Sequence, residues 1–115
     1  MAEDCLFCRI IAGKIPSKKV FENELVFAFE DINPQAPVHV LIIPKKHVAT
    51  LNDTDAEFNV YMNAMFGAAR EIAAQRGIAE KGYRTVFNVN KDAGQEVFHI
   101  HLHLLGGRIF KWPPG

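Results

Sequence analysis

Short apolar segments bounded by turn-forming residues recur along this chain, a pattern that predicts β-strands. The predicted strands are residues 18–22, 24–30, 38–43, 83–89 and 97–105. Pro34 and Pro37 interrupt the segment between the second and third strands, so residues 31–37 are predicted to form a loop. A second polar loop, residues 90–96, is predicted to join the last two strands.

Two segments show helical spacing instead. Residues 5–12 predict a short helix closed by Gly13, and residues 56–76 predict the main helix, preceded by capping residues and ended by Gly77. One apolar stripe along the main helix is expected in the core: Phe58, Met62, Met65, Phe66, Ala69, Ile72 and Ala73. Because predicted strands outnumber helices and many connections are short, the pattern indicates an α+β fold, an antiparallel sheet of about five strands carrying one long helix.

The last predicted strand carries three of the chain's five histidines, His99, His101 and His103, in alternation with apolar residues. On a strand these imidazoles project from one face at intervals of roughly 6 to 7 Å. Imidazole titrates near neutrality, so such a row suits either nucleophilic and proton-transfer chemistry or zinc ligation. A buried strand with hydrogen-bonded histidines is the structural alternative. Asn88 and Gln95 flank the preceding turn and offer neutral amide donors.

Composition limits the partners. With 115 residues, 49% hydrophobic and 23% charged, the chain fits one globular domain. Thirteen basic and thirteen acidic residues cancel, so we expect a small ligand, no nucleic acid polymer and no membrane. No apolar run reaches signal-peptide or transmembrane length, and a cytoplasmic location is expected. Cys5 and Cys8 are too close in sequence to cross-link distant segments and fit a metal site or reduced thiols.

Several ordered motifs resemble one known family. The segment from His99 to Leu105 matches the alternating signature of the histidine triad (HIT) superfamily, and the likeness covers nearly the whole chain. The other matching segments are residues 31–39, 43–47, 94–98, 105–108 and 112–115. Together they resemble the Hint branch, the histidine triad nucleotide-binding proteins. A single HIT domain over residues 1–115 is therefore expected.

This resemblance implies a purine nucleoside phosphoramidase or nucleotidyl hydrolase that cleaves the P–N bond of AMP-type or GMP-type phosphoramidates. By position, His101 is the nucleophile that forms a nucleotidyl-histidine intermediate, without a catalytic metal. His103 and His39 are expected to contact the phosphate and manage protons. Two alternatives stay open: a nucleotide-binding regulatory module with little turnover, and a hydrolase whose triad itself ligates zinc.

The same resemblance assigns substrate contacts. Asn88, Gln95 and the backbone around Val97 would hold the phosphoryl oxygens. Asp31 would bind the ribose hydroxyls, and Ile32 is a candidate wall of the base pocket, as are Phe29 and Leu41. Glu96 stands where many eukaryotic members have serine, although glutamate is familiar in bacterial ones; its carboxylate would repel phosphate.

The resemblance also implies a metal site and a dimer. In some histidine triad proteins a similar N-terminal cysteine pair is half of a structural zinc site, which His47 and His99 would complete here alongside Cys5 and Cys8. Members are typically homodimers formed across the long helix and an edge strand. Trp112, in the C-terminal tail, would then lie near the partner's active site and shape the leaving-group side.

Overall fold

The computed structural model describes residues 4–115, so the first three residues of the predicted domain lie outside the described part. Its helices are α1 (Leu6–Ile11) and α2 (Asn59–Gln75). Its strands are β1 (Lys19–Glu22), β2 (Val26–Glu30), β3 (Val38–Pro44), β4 (Tyr83–Phe87) and β5 (Leu102–Gly106). Short 3-10 turns cover Leu51–Asp53, Ala56–Phe58 and Lys91–Ala93.

The five strands form one sheet in the order β1-β2-β3-β5-β4, and every neighbouring pair is antiparallel. The predicted α+β class and antiparallel sheet are therefore confirmed. Strand β3 lies at the centre, and its pairing with β5 sets Leu41 opposite His103 and His39 opposite Leu105. His39 and His103, which are distant in sequence, thereby lie on adjacent strands.

Alternate residues of the strands enter two separate apolar clusters, one on each face of the sheet. The α2 face buries Val26, Ala28, Val40, Ile42, Leu102 and Leu104 against Met65, Ala69, Ile72 and Ala73 of the long helix. The α1 face buries Phe27, Phe29, Leu41 and Ile43 against Phe7 and Ile10 of the short helix. Each fully buried Val, Leu, Ile, Phe or Met side chain contributes about 1.5 to 3 kcal/mol to stability. Both helices are therefore held against the sheet by their apolar faces.

The long helix begins three residues later than predicted. Residues 56–58 form a 3-10 turn, because the Asp55 carboxylate accepts a hydrogen bond from the Phe58 amide at 3.2 Å and caps that turn first. Phe58 is buried as expected, but the prediction is wrong for Phe66, whose side chain is 39% exposed. Gly77, at φ +73°, lies just beyond the end of the helix.

The strand predicted over residues 97–105 is too long: regular pairing begins only at Leu102. Pro44, at the end of the neighbouring β3, has no N–H to donate, and its carbonyl accepts a hydrogen bond from His99 Nε2 at 2.8 Å. The Ile100 amide instead donates to the Val48 carbonyl at 2.7 Å. His99 and His101 therefore lie on an irregular segment before β5, although the ring of Phe7 still packs edge-on to both of them.

Within residues 4–115, neither helix combines the length and the apolar character needed to cross a membrane.

Candidate active site and metal cluster

A cavity of about 550 Å³ opens on the α1 face of the sheet. Its walls come from α1, from the loop between β2 and β3, and from the segment that precedes β5. It is lined by seven of the predicted site residues: Asp31, Ile32, His39, Asn88, Val97, His101 and His103. Residues remote in sequence thus converge on one space of the size that small-molecule sites occupy.

His101 is held by one hydrogen bond of defined polarity. Its Nδ1 lies 2.9 Å from the carbonyl oxygen of His99, which can only accept, so Nδ1 carries the proton. The ring of Phe7 packs edge-on at a centroid distance of 5.2 Å. Burial lowers the pKa of His101, despite the opposing carbonyl bond. The neutral ring therefore has an unprotonated Nε2, the form required of a nucleophile.

His103 is the opposite tautomer. The Gln35 amide N–H donates to His39 Nδ1 at 3.0 Å, so the proton of neutral His39 is on Nε2. His39 Nε2 lies 2.9 Å from His103 Nδ1 and donates to it. His103 consequently carries its own proton on Nε2. The ring centroids of His101 and His103 are 5.0 Å apart. His101 thus offers a lone pair on Nε2, and the neighbouring His103 offers an N–H donor on Nε2.

Burial keeps this cluster uncharged. The pKa of His103 is lowered to about 4, first by burial and then by repulsion from His101 and His39. The pKa of His39 is also lowered by burial, while the charge of Asp31 acts in the opposite direction. The Asp31 carboxylate lies 3.4 Å from His39 Nε2 and accepts the Asn33 amide at 2.8 Å through its other oxygen.

A second cluster joins Cys5, Cys8, His47 and His99, whose candidate ligand atoms all lie within 4.8 Å of one another. Cys5 Sγ is 3.3 Å from His99 Nδ1, and Cys8 Sγ is 3.4 Å from His47 Nδ1. Ligand atoms around tetrahedral zinc are separated by about 3.3 to 3.8 Å, as Zn–S and Zn–N bond lengths require. The predicted set therefore converges with spacing that fits such an ion.

The bond from His99 Nε2 to the Pro44 carbonyl suits metal binding as well. A ligating histidine usually donates its other N–H to a carbonyl or carboxylate, which fixes the ring and leaves the opposite nitrogen free for the metal. Here Nε2 donates at 2.8 Å, so Nδ1 of His99 faces the cysteines as an acceptor. The residues present fit a metal with Cys2His2 ligation.

Asp31, His39 and His103 also bring three possible ligand atoms together. They do not form a comparable ligand set, because the Gln35 amide occupies the lone pair of His39 Nδ1 and leaves the proton on Nε2. A metal on Nε2 would require that proton to move to Nδ1, against the Gln35 N–H. The cluster is a hydrogen-bonded chain, which disfavours the alternative of a zinc ion held by the triad.

Comparison with known proteins agrees with this geometry. The HIT domain matches residues 12–109. The chain belongs to the HIT domain family. A purine nucleoside phosphoramidase of Escherichia coli (strain K12) is 53% identical over 108 residues, which cover 94% of this chain and 91% of that protein.

Solved structures resemble this HIT domain throughout. A HIT family hydrolase from Legionella pneumophila Philadelphia 1 is 54% identical, with a TM-score of 0.96 over 97% of this chain and 100% of the other. A Zn-bound histidine triad family protein from Mycobacterium smegmatis is 35% identical, with a TM-score of 0.81 over 94% of this chain and 78% of the other.

Two residues predicted to contact substrate, Gln95 and Trp112, do not line the cavity of this HIT domain. The side-chain amide of Gln95 donates to the carbonyls of Ala49 at 2.9 Å and Val97 at 3.1 Å, while its oxygen accepts the Asn90 amide. Both amide hydrogens are used, so Gln95 braces the loop that carries Val97 and has none left for a phosphoryl oxygen. Trp112 is 83% exposed and does not line the cavity of the single chain.

The sequence-based reasoning missed two contributors. Phe7 packs on the rings of His101 and Phe29, and the backbone of Gln35 sets the tautomer of His39. A signal for Phe7 existed: it lies between the two cysteines, and a metal joining them to His99 would hold that turn of α1 against the triad. The role of Gln35 depends on its main chain, which no side-chain motif reveals.

Ile32, 99% exposed, contributes only to the rim of the cavity.

The lowered pKa of His103 predicts a pH-dependent stability. Unfolded chain takes up a proton on this ring near pH 6.5, whereas the folded ring does so only near pH 4, so stability is lost as the pH falls through that window. The contribution of one such group is at most about 1.4 kcal/mol per pH unit. We expect His103→Asn to reduce the slope of unfolding free energy against pH between those values, measured by urea titration. An unchanged slope would contradict a buried neutral His103.

Proposed function

We propose that this HIT domain, a single domain over the whole chain, is a purine nucleoside phosphoramidase. It would hydrolyse the P–N bond of AMP-type or GMP-type phosphoramidates through a nucleotidyl-histidine intermediate. The observation that carries the proposal is the pair of opposite tautomers in one cavity, with a lone pair on His101 Nε2 beside an N–H on His103 Nε2. The name of the Escherichia coli relative supports the choice of substrate class.

In the first step His101 Nε2 attacks the α-phosphorus and the P–N bond breaks. His101 becomes cationic, and its Nδ1–H bond to the His99 carbonyl strengthens as that charge develops. The amine must leave with a proton. The departing nitrogen takes up one proton from solvent, because both lone pairs of the His39 and His103 pair already accept N–H donors.

In the second step water attacks the phosphorus of the nucleotidyl-His101 intermediate. A P–O bond forms, the P–N bond to His101 breaks, and Nε2 recovers its lone pair. One proton of the water remains on the nucleotide and the other returns to solvent, which balances the proton taken up before. The His103 Nε2–H group, a donor throughout, is suited to hold a phosphoryl oxygen or the leaving nitrogen.

Substrate binding would use the remaining cavity residues. The Asp31 carboxylate can accept from the ribose hydroxyls through the oxygen that Asn33 does not occupy. Asn88 and the backbone of Val97 are suited to the phosphoryl oxygens. Phe29, Leu41 and the rim residue Ile32 offer apolar walls for a base. Glu96, an exposed residue, also borders the cavity, and its carboxylate would disfavour a phosphate directly against its side chain.

Substitution of His101 tests the covalent mechanism. We expect His101→Ala to lower the turnover of adenosine phosphoramidates at least about a thousandfold, because the nucleophile is removed. Binding of AMP, measured by calorimetry, should persist, since Asp31 and the apolar walls are unchanged. Wild-type protein that binds AMP with little turnover of adenosine or guanosine phosphoramidates would favour the regulatory binding module instead.

We further propose that Cys5, Cys8, His47 and His99 hold a structural zinc ion. The spacing of their ligand atoms and the Zn-bound Mycobacterium smegmatis neighbour support this identity. When bound, the ion would contribute ligation energy that ties α1 to the segment before β5. It would therefore hold Phe7 against His101.

Zinc removal should destabilise the protein. We expect untagged protein to contain one zinc per chain by elemental analysis, and a chelator to reduce unfolding free energy by about 4 kcal/mol, as when free zinc is a thousand times its Kd. The double variant Cys5→Ser, Cys8→Ser is the matched control, since the chelator should have no further effect on it. Substoichiometric zinc together with stability indifferent to chelator in the wild type would overturn the assignment.

We also propose a homodimer formed across β4 and α2. Strand β4 lies at the edge of the sheet, and its Phe87 packs against Phe66 with ring centroids 6.0 Å apart. Phe66 and Val60 of α2 are 39% and 52% exposed, so apolar surface lies next to unpaired strand backbone. The exposed Trp112 would then reach the partner's cavity.

The dimer predicts two separable outcomes. Light scattering of the wild type should give about twice the chain mass of 12.9 kDa, and Phe66→Asp should shift it toward the monomer, because a charge replaces interface apolar surface. Deletion of residues 112–115 should leave the mass unchanged but alter relative kcat/KM among phosphoramidates of different amines. An unaltered preference after deletion would exclude Trp112 from the leaving-group side.

A further inference from the structure

Arg108 lies two residues beyond β5 and contacts the loop between β2 and β3. Its Nε–H donates to the carbonyl oxygen of Gln35 at 2.9 Å, and its Nη1 donates to the Ile109 carbonyl at 3.1 Å. The guanidinium group is 4.2 Å from the ring centroid of Phe110, within the range of a cation–π contact. The Arg108 guanidinium group is thus held by hydrogen bonds at two of its nitrogens, Nε and Nη1.

Gln35 connects this contact to the histidines. Its carbonyl accepts from Arg108, and its amide N–H donates to His39 Nδ1 at 3.0 Å. The two bonds lie on opposite sides of one α-carbon, so together they restrain both backbone dihedrals of Gln35. If the Gln35 amide turns away from His39, the His39 proton is held on Nε2 only by the Asp31 carboxylate, whose oxygen lies at the longer distance of 3.4 Å.

A second contact fixes the same loop. Gly107, at φ +91°, packs so closely on Pro37 that a Cβ there would lie 2.9 Å from the Pro37 Cβ. The residues after β5 therefore hold the loop at two points, Gln35 and Pro37. Strand pairing adds a third restraint, because His39 itself is opposite Leu105 on β5.

We propose that Arg108 is a positioning residue for the proton chain of the active site. By restraining the backbone of Gln35, Arg108 keeps the proton of His39 on Nε2. Through His39 it also keeps the proton of His103 on Nε2, the nitrogen proposed to donate to substrate. The catalytic consequence rests on the proposed phosphoramidase function. The effect on the His39 tautomer does not, since it follows from hydrogen bonds within the protein.

Two substitutions separate the hydrogen bond from the charge. Arg108→Gln keeps an N–H donor at the chain position of Nε but removes the charge, whereas Arg108→Met removes both with similar length. We expect Arg108→Met to speed hydrogen exchange of the Gln35 amide about fivefold or more, as loss of one restraining hydrogen bond implies. Arg108→Gln should remain close to the wild type.

The tautomer gives a direct readout. In the wild type, ¹⁵N spectra should show an acceptor Nδ1 and a protonated Nε2 for His39, and Arg108→Met should give a mixture of both tautomers. Arg84→Met is the matched control, because Arg84 also lies over the Phe110 ring, at 5.1 Å, but donates to the Lys111 carbonyl instead of Gln35. It should leave the His39 signals and the Gln35 exchange unchanged.

Kinetics completes the test. Arg108→Met should lower kcat for a phosphoramidate roughly five- to tenfold, less than loss of a general acid, with little change in KM. Unchanged His39 spectra and Gln35 exchange in Arg108→Met would overturn the proposal, as would equal effects of the Gln and Met variants. If wild-type protein shows no phosphoramidase turnover, the proposed function fails, while the spectra and exchange rates still decide the role of Arg108.

Discussion

The antiparallel pairing of β3 with β5, and the point at which it stops, governs both candidate sites of this HIT domain. The ladder places His39 and His103 on adjacent strands and on the same face of the sheet. Its last pair is Ile42 with Leu102, and the carbonyl of Pro44, two residues further along β3, accepts from the His99 side chain instead of a strand amide. The chain before β5 is not in regular pairing, and there His99 faces the cysteines, while His101 and His103 line the cavity. His99 nevertheless remains connected to the cavity, because its backbone carbonyl fixes the tautomer of His101.

Burial and hydrogen bonding together give the cavity its chemistry. Burial lowers the pKa of His101, His103 and His39, so each ring is neutral at physiological pH. A neutral imidazole has one N–H and one lone pair, and only its partners decide which nitrogen bears which. Here both deciding partners are main-chain groups, the His99 carbonyl and the Gln35 amide. The position of the backbone thus decides which ring nitrogen has a lone pair and which has an N–H, and side-chain identity alone does not.

Predictions from the sequence succeeded where local pattern and structure share a cause. Short apolar runs bounded by turn residues identified β2 and β3, and helical spacing identified α2, because the pattern of buried positions is a property of each element. They failed where a distant group intervened. The alternation of histidines suggested a strand from residue 97, but strand pairing needs a partner amide that Pro44 lacks. Phe66 has helical core spacing, yet no part of the described chain covers it fully.

The sequence by itself determined the α+β class, the residue types of both sites and, through resemblance, which side chains to examine together. Tertiary structure decided the tautomers of the imidazoles, the use of the Gln95 amide within its own loop, and the role of Gln35. The physical reason is that a hydrogen bond depends on the relative position of two groups, often remote in sequence. A string of residues specifies donors and acceptors, whereas only the folded chain specifies which of them meet.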